Sequence, residues 1–267
     1  MASYAVLACL FAAALLAPVI APYDMREQDL LARLQPPSWL GGAEGHWLGT
    51  DHLGRDVLSR LLHALRTTLG VATLGTLIGL ALGSALGLAA GLAGGWVDEL
   101  IMFLVDVQVS VPFVLVALTA IALGGTSKAV LVLVVGLAGW EVYARVVRGQ
   151  VLALGRLPFV EAARALGATG GRIALRHLLP SVSTSLVVLA TANFTHVMLL
   201  ESALSFLGIG VRPPDTSLGA MLGTTRDYLL TDWTLPAAPA ATLVLLSVAV
   251  SVLGDWARDR LDPRQRG

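Results

Sequence analysis

The sequence predicts an all-α polytopic membrane protein with six transmembrane helices. Two observations predict it: a composition too apolar for a water-facing surface, and six apolar runs of helix length. The 267 residues are 56% hydrophobic and only 13% charged, with 18 basic and 18 acidic side chains. An ordinary soluble domain carries roughly 25% charged residues. The zero net charge removes a global electrostatic basis for nucleic-acid binding. The single cysteine, Cys9, excludes an intramolecular disulfide framework.

A bilayer core about 30 Å thick needs roughly 20 mostly apolar residues per helical crossing. The qualifying runs cover about 2–21, 68–93, 100–123, 128–147, 183–207 and 236–254. The ten-residue alternating segments of a membrane barrel do not appear, so helices must satisfy the backbone. The first run lacks the basic leader of a secretory signal and is long for one, so it reads as an uncleaved first helix.

Charge sets the expected direction of threading. Segment 144–181 holds six Arg against Glu161 alone. Segments 23–66 and 208–235 each carry a net charge of −1, and 255–267 a net charge of +1. Short basic loops stay inside. The expectation is therefore a cytoplasmic 144–181, both termini cytoplasmic, and 23–66 and 208–235 outside. In domain terms, residues 1–66 form a first helix plus an outer loop. Residues 67–256 form a five-helix core containing the cytoplasmic loop 145–181, and 257–267 a cytoplasmic tail.

That cytoplasmic loop reads as helical despite joining two spans. Glu161-Ala162-Ala163-Arg-Ala-Leu is rich in helix formers and ends at Gly167, a C-cap signal. Ala168-Thr-Gly-Gly171 reads as a turn, and the run from Arg172 to Pro180 begins a second short helix. Its Ile173, Leu175 and Leu178 are expected against the core. Such a hairpin is either a solvated surface feature or a shape that seats in another protein's groove.

Glu161-Ala162-Ala163, Gly167 and Leu179-Pro180 together resemble the EAA loop of the membrane subunits of ABC importers, with His177 where that pattern has Ile. Three further blocks resemble the peptide/nickel branch of that family: His46 to Arg60, Glu201 to Pro214, and Gly254 to Pro263. The resemblance covers the chain from about residue 36. It implies a type I ABC importer permease fold and a C-type permease subunit in the inner membrane, importing dipeptides, oligopeptides or nickel. It also implies partners: a second permease, two ATPase subunits that hold ATP and Mg, an extracytoplasmic binding protein, and the lipid bilayer. The residues it marks for ATPase coupling are Glu161, Ala162, Ala163, Gly167 and Pro180.

The chain's own motifs agree that energy comes from elsewhere. The sequence has no Gly-x4-Gly-Lys-Ser/Thr phosphate loop and no His-Glu-x2-His, and its five histidines are scattered. No cofactor and no metal site are expected in this chain, and no enzymatic activity of its own. A stand-alone ion-coupled carrier is the alternative. It accommodates six spans and a buried acid but leaves the EAA-like loop without a role.

Gly75, Gly79, Gly83, Gly87, Gly91 and Gly95 recur every four residues in the second span. The stripe serves either close packing within the subunit or a sliding contact with the partner permease. Ionisable groups at membrane depth face a cavity or a partner. Asp106 and Gln108 in the third span are candidates, and Phe103 replaces the basic residue that the resemblance leads one to expect beside Asp106. Glu141 is expected to pair with Arg145 one turn on. Asn193 and His196 share a face of the fifth span and are expected to hydrogen-bond between helices. Glu201 is offset from them by about 140°. In the outer loop, Arg55, Asp56 and Arg60 are expected to form ion pairs, with Trp39 and Trp47 at the membrane interface.

Overall fold

The computed structural model describes residues 2–42 and 44–261. The last residues of the C-terminal block, Asp262 and Pro263, fall outside them. Helices α1 (Ala2–Ile20) and α2 (Val57–Ala93) flank a long loop. Then follow α3 (Gly95–Ser110), α4 (Phe113–Gly124), α5 (Lys128–Gly136) and α6 (Trp140–Leu154). The loop helix α7 (Pro158–Ala165) precedes α8 (Gly170–Ile173) and α9 (Leu179–Phe206), and α10 (Leu218–Thr225) and α11 (Thr234–Leu261) complete the fold.

Four helical stretches are long and apolar enough to cross a membrane: Val57–Ala93, Lys128–Leu154, Gly170–Phe206 and Thr234–Arg260. The bent pair α3 and α4 makes a fifth if counted as one crossing. The expected run 100–123 is therefore not a straight helix, because α3 and α4 meet at 94°. Pro112 is the cause. It disfavours helical backbone at Val111, which is extended at φ −101 and ψ 129. In α1 the apolar helix Leu7–Ile20 is shorter than a straight crossing requires.

The second short helix expected to begin at Arg172 runs on into the fifth span. The chain from Gly170 to Phe206 is one helical stretch, with a π turn at Ala174–Leu178 just before the proline. Pro180 sits in the first turn of α9, where its missing N–H leaves no donor unmatched. A widened turn is the usual way a helix absorbs such a defect.

The glycine stripe packs inside the subunit. A Cβ on Gly83 would lie 2.2 Å from the Trp140 carbonyl oxygen, and one on Gly87 2.5 Å from that of Ala144. Gly79 faces the Gly136 carbonyl and Gly91 the Val151 side chain. The absent side chains let α2 lie backbone to backbone on α5 and α6. Gly95 leaves the stripe, at φ +52 in the turn into α3.

The loop between α1 and α2 is built on Asp51, which is almost wholly buried. Its carboxylate accepts from the Leu53 and Arg55 amides at 2.8 and 3.1 Å, from Arg55 Nε at 2.8 Å, and from Arg60. Burial pushes this carboxyl up, but the Arg60 charge, the Leu53 amide and Arg55 outweigh it and hold it below the ordinary range. Arg55 and Arg60 thus pair as expected, with a partner the sequence reading did not single out. Asp56 instead caps α2 through the Ser59 amide at 2.7 Å and faces His46 Nδ1 at 3.0 Å. Gly54, at φ +72, closes the turn because a Cβ there would meet the Asp29 carbonyl at 1.7 Å. Trp39 and Trp47 are exposed.

Candidate functional site

Two regions carry the candidate residues: the loop hairpin at one end of the spans, and the polar positions within them. The hairpin is two-faced. Val160, Ile173 and Leu178 are buried and join a cluster with Tyr143, Val147, Val151 and Val182, and Ala163 packs on it. On the other face Glu161 and Ala162 are exposed. Leu166 is 90% exposed and Leu175 68% exposed. Leu175 thus points away from the core, contrary to expectation, because the helical register that buries Ile173 and Leu178 turns it outward.

Gly167 is left-handed at φ +81, and an added Cβ would meet nothing within 4 Å. It closes α7 as a helix C-cap should: the Leu166 amide donates to the Ala162 carbonyl at 3.0 Å and that of Ala168 to Ala163 at 3.0 Å. Glu161 lies in the first turn of α7, where a carboxylate favours the helix dipole. Pro180 lies in the continuous stretch that runs from the hairpin into α9. The hairpin therefore shows a mixed face outward, with charged Glu161, Arg172 and Arg176 beside Ala162, Leu166 and Leu175, and is anchored inward by Val160, Ile173 and Leu178.

Within the spans, Asp106 is not left alone by Phe103. Arg145 Nη2 reaches Asp106 Oδ1 at 3.1 Å, and both side chains are exposed. The expected pair of Glu141 with Arg145 does not form. Arg145 turns to the neighbouring helix, and Glu141 Oε2 is buried with no hydrogen-bond partner. Gln108 Nε2 donates to the Leu137 carbonyl at 3.3 Å, at the break between α5 and α6. A second pair, Asp98 with Arg148, ties α3 to α6 further on, its longer bond being 2.6 Å.

Asn193 and His196 part company. Asn193 packs against Gly139, at the start of α6, and Tyr143 lies beside it. His196 is exposed and makes no hydrogen bond among the described residues. Asn193 thus keeps the expected contact with a neighbouring helix, its carboxamide beside the Tyr143 hydroxyl of α6 although Nδ2 is buried without a partner, whereas His196 takes no part in it.

Glu201 is fully buried. Ser205 Oγ donates to Oε1 at 2.6 Å and Ser202 Oγ to Oε2 at 3.4 Å, and the Ser217 and Thr68 hydroxyls also bond the carboxylate. Thr68 Oγ1 accepts the Leu218 amide at 3.1 Å, and Ser205 Oγ the Val211 amide at 3.1 Å. One carboxylate thus gathers α2, the end of α9 and the start of α10. Thr68, Ser205 and Ser217 had no local sequence signal, since hydroxyls in apolar helices usually bond their own backbone. Among the described residues, no cluster of three or more His, Cys, Asp or Glu could hold a metal ion.

Residues 83–267 match the family of binding-protein-dependent transport system inner membrane components. Residues 1–37 match the N-terminal transmembrane domain of oligopeptide transport permease C. The di/tripeptide transport system permease protein DppC of Pseudomonas aeruginosa is 38% identical over 252 residues, covering 94% of this chain and 83% of that protein. The oligopeptide transport system permease protein OppC of Mycobacterium tuberculosis H37Rv is 35% identical, covering 99% of this chain and 90% of that one. The glutathione transport system permease protein GsiD of Pectobacterium atrosepticum is 36% identical over 255 residues, covering 96% of this chain and 83% of that protein. An inward-facing structure of the MetNI methionine ABC transporter shares the fold, with TM-score 0.63 and 20% identity over 77% of this chain and 97% of that one. With matches along its whole length, the chain belongs to the inner-membrane permease subunits of binding-protein-dependent ABC importers, in the branch of the peptide permeases.

Proposed function

We propose that this chain forms half of the translocation path of an ATP-driven peptide importer and takes its drive from separate ATPases through the Glu161–Pro180 hairpin. The carrying observation is the hairpin's two faces, with its second arm forming the start of the continuous Gly170–Phe206 helix. The hairpin's outward face presents the charged Glu161, Arg172 and Arg176 beside the exposed apolar Leu166 and Leu175, and its inward side chains anchor it to the spans. A partner closing on α7 would therefore move the Gly170–Phe206 helix with it. The relatives named for di/tripeptide, oligopeptide and glutathione transport support a peptide-like cargo.

In this reading α1 and the bent α3–α4 pair each cross the bilayer, giving six crossings. Both termini and 145–181 lie in the cytoplasm, and the Asp51-centred loop lies outside, under the binding protein. A second permease completes the path. ATP and Mg reside on the ATPases.

Substitution at Gly167 tests the coupling role. Gly167→Ala and Gly167→Trp carry the same backbone strain, about 1–2 kcal/mol for leaving glycine at positive φ. Only the tryptophan projects bulk into the open space around the cap. We expect Gly167→Ala to retain ATP-driven uptake, and Gly167→Trp to lose it while still reaching the membrane. Undiminished uptake in Gly167→Trp would refute the coupling role. Uptake that survived ATP depletion and collapsed with an ionophore would favour an ion-coupled carrier instead.

A further inference from the structure

A groove of about 1020 Å³ runs between α1, α2 and α5. Its walls are apolar, with Phe11 and Leu15 on α1, Leu74 on α2, and Val132 and Leu133 on α5. Leu15, Leu74 and Leu133 are exposed in it. Gly70 also lines it and leaves room there, since an added Cβ would meet nothing within 4 Å. The charged lining is Arg66, Lys128 and Asp215, two cations against one carboxylate, with His63 one turn before Arg66.

The helix register places the two cations at one level. A Cβ on Gly75 would meet Val135, one on Gly83 Trp140, and one on Gly87 Ala144, so α2 runs parallel to the α5–α6 stretch. Counting back from the Gly75–Val135 contact at about 1.5 Å per residue, Arg66 lies roughly 13.5 Å and Lys128 roughly 10.5 Å away. Arg66 thus stands within about 3 Å of the level where the Lys128–Leu154 crossing begins. The loop residues Met25 and Asp215 line that same end. Cations at the end of a crossing reach the phosphates of lipids, while the apolar walls beyond them face acyl chains. Arg66 is exposed and makes no ion pair among the described residues. Lys128 Nζ stands 3.9 Å from Asp215 Oδ2, beyond hydrogen-bond reach. Both cations therefore have N–H donors to offer.

We propose that this groove seats one anionic phospholipid, its phosphate between Arg66 and Lys128 and an acyl chain along Phe11, Leu74 and Leu133. The proposal goes beyond the importer reading and holds whatever the cargo. A phosphate oxygen pair matches the planar fork of a guanidinium, and the ammonium adds a second, less directional contact. The excess of positive charge selects a lipid with net negative charge over a zwitterionic one, whose own cation it repels. A partner helix is a poorer occupant, because it would need an acidic side chain at just this level of an otherwise apolar face. An anionic phospholipid joins both chemistries in one flexible molecule. Helix α1 packs on α2 and α11, and the groove separates it from α5. The bound lipid thus fills the space between α1 and the core.

The test uses the complete complex of both permeases, ATPases and binding protein, delipidated in detergent. The probe is phosphatidylglycerol with a diazirine in its acyl chain, photolysed and mapped by mass spectrometry. Labelling should fall on the groove walls of α1, α2 or α5. Unlabelled phosphatidylglycerol should compete at least fivefold better than phosphatidylcholine, and inorganic phosphate should not compete. Arg66→Gln combined with Lys128→Gln should bring that preference below twofold, while Arg226→Gln, which removes a cation paired with Asp227, leaves it intact. Gly70→Phe, filling the open position, should abolish labelling of the groove in complexes assembled with wild-type yield. Equal competition by the two lipids, competition by phosphate, or an unchanged preference in the double variant overturns the proposal. A wild-type groove that stays unlabelled, with the second permease lost from Gly70→Phe complexes, identifies a seat for that subunit and overturns it too.

Discussion

Adding a single methyl group at successive glycines of α2 turns the backbone contact with α5 and α6 into a graded measurement. An added Cβ meets nothing within 4 Å at Gly70, the Val135 and Val197 side chains at 3.0 Å at Gly75, and the Trp140 carbonyl oxygen at 2.2 Å at Gly83. A real Cβ scarcely approaches closer than about 3 Å, so at Gly83 the two helices must part by roughly 0.8 Å. The blocking atom is backbone and cannot rotate away. A gap of 0.5–1 Å forfeits about a quarter to a half of each dispersion contact along the seam. Overpacking of this kind typically costs about 1–3 kcal/mol. Gly70→Ala should instead gain up to about 1 kcal/mol from helix propensity. At Gly75 that gain and the yielding valine side chains should nearly cancel. Thermal unfolding of the detergent-solubilised complex, followed by tryptophan fluorescence, should therefore rank Gly70→Ala at or above wild type, then Gly75→Ala, with Gly83→Ala several degrees lower. Equal midpoints for Gly70→Ala and Gly83→Ala would refute the close approach.

Two further outcomes follow from the buried polar groups. Glu201→Ala strands the Ser205, Thr68 and Ser217 hydroxyls, at about 1–3 kcal/mol for each left unpaired. Glu201→Gln keeps the shape and most partners and should cost less; equal loss of stability in the two would count against the hydrogen-bond account. The α1–α2 loop should also sense pH through two groups. Burial holds the His52 imidazole below its ordinary value of 6.5, and the ring stacks on Tyr228 at 5.9 Å. The unfolded chain then binds the extra proton first, so His52's share of stability is whole above pH 6.5 and falls as the pH drops toward the lower folded value. The depressed Asp51 carboxyl contributes fully above about 3.8 and fades only below that. Limited proteolysis of the loop at pH 7.5, 5.5 and 3 should show a first loosening that His52→Phe abolishes and a second that it does not.

The helical class and most of the crossings were legible as apolar runs, because burial in lipid demands length and hydropathy and little else. The hairpin was legible because Glu161 to Pro180 combines helix formers with a glycine stop. What escaped was decided between distant residues. Arg145 had two acids within reach, and only the fold places Asp106, rather than Glu141, against its guanidinium. The 94° elbow was visible as Pro112 within an apolar run, but hydropathy averages over a proline. That the helix begun at Arg172 continues through Pro180 into the fifth span was not legible either, since a π turn just before the proline absorbs its defect. Asn193 and His196 share a face by periodicity, yet that face spans both a packed seam and open surface. The Asp51 hub sits inside a readable block, but nothing local separates a buried carboxylate from its exposed neighbours.

The unbroken stretch from Gly170 to Phe206 has a mechanical corollary. At about 1.5 Å per residue it is roughly 55 Å long, which exceeds the hydrocarbon thickness. Pivoting such a stiff element by 5° about one tip sweeps the other through about 5 Å. One of its tips carries the Gly167 cap and the other the Glu201 cluster that grips α2 and α10. The two ends of the subunit are thus mechanically geared within one polypeptide, and in the proposed orientation a small rotation at the hairpin suffices to reshape the far end.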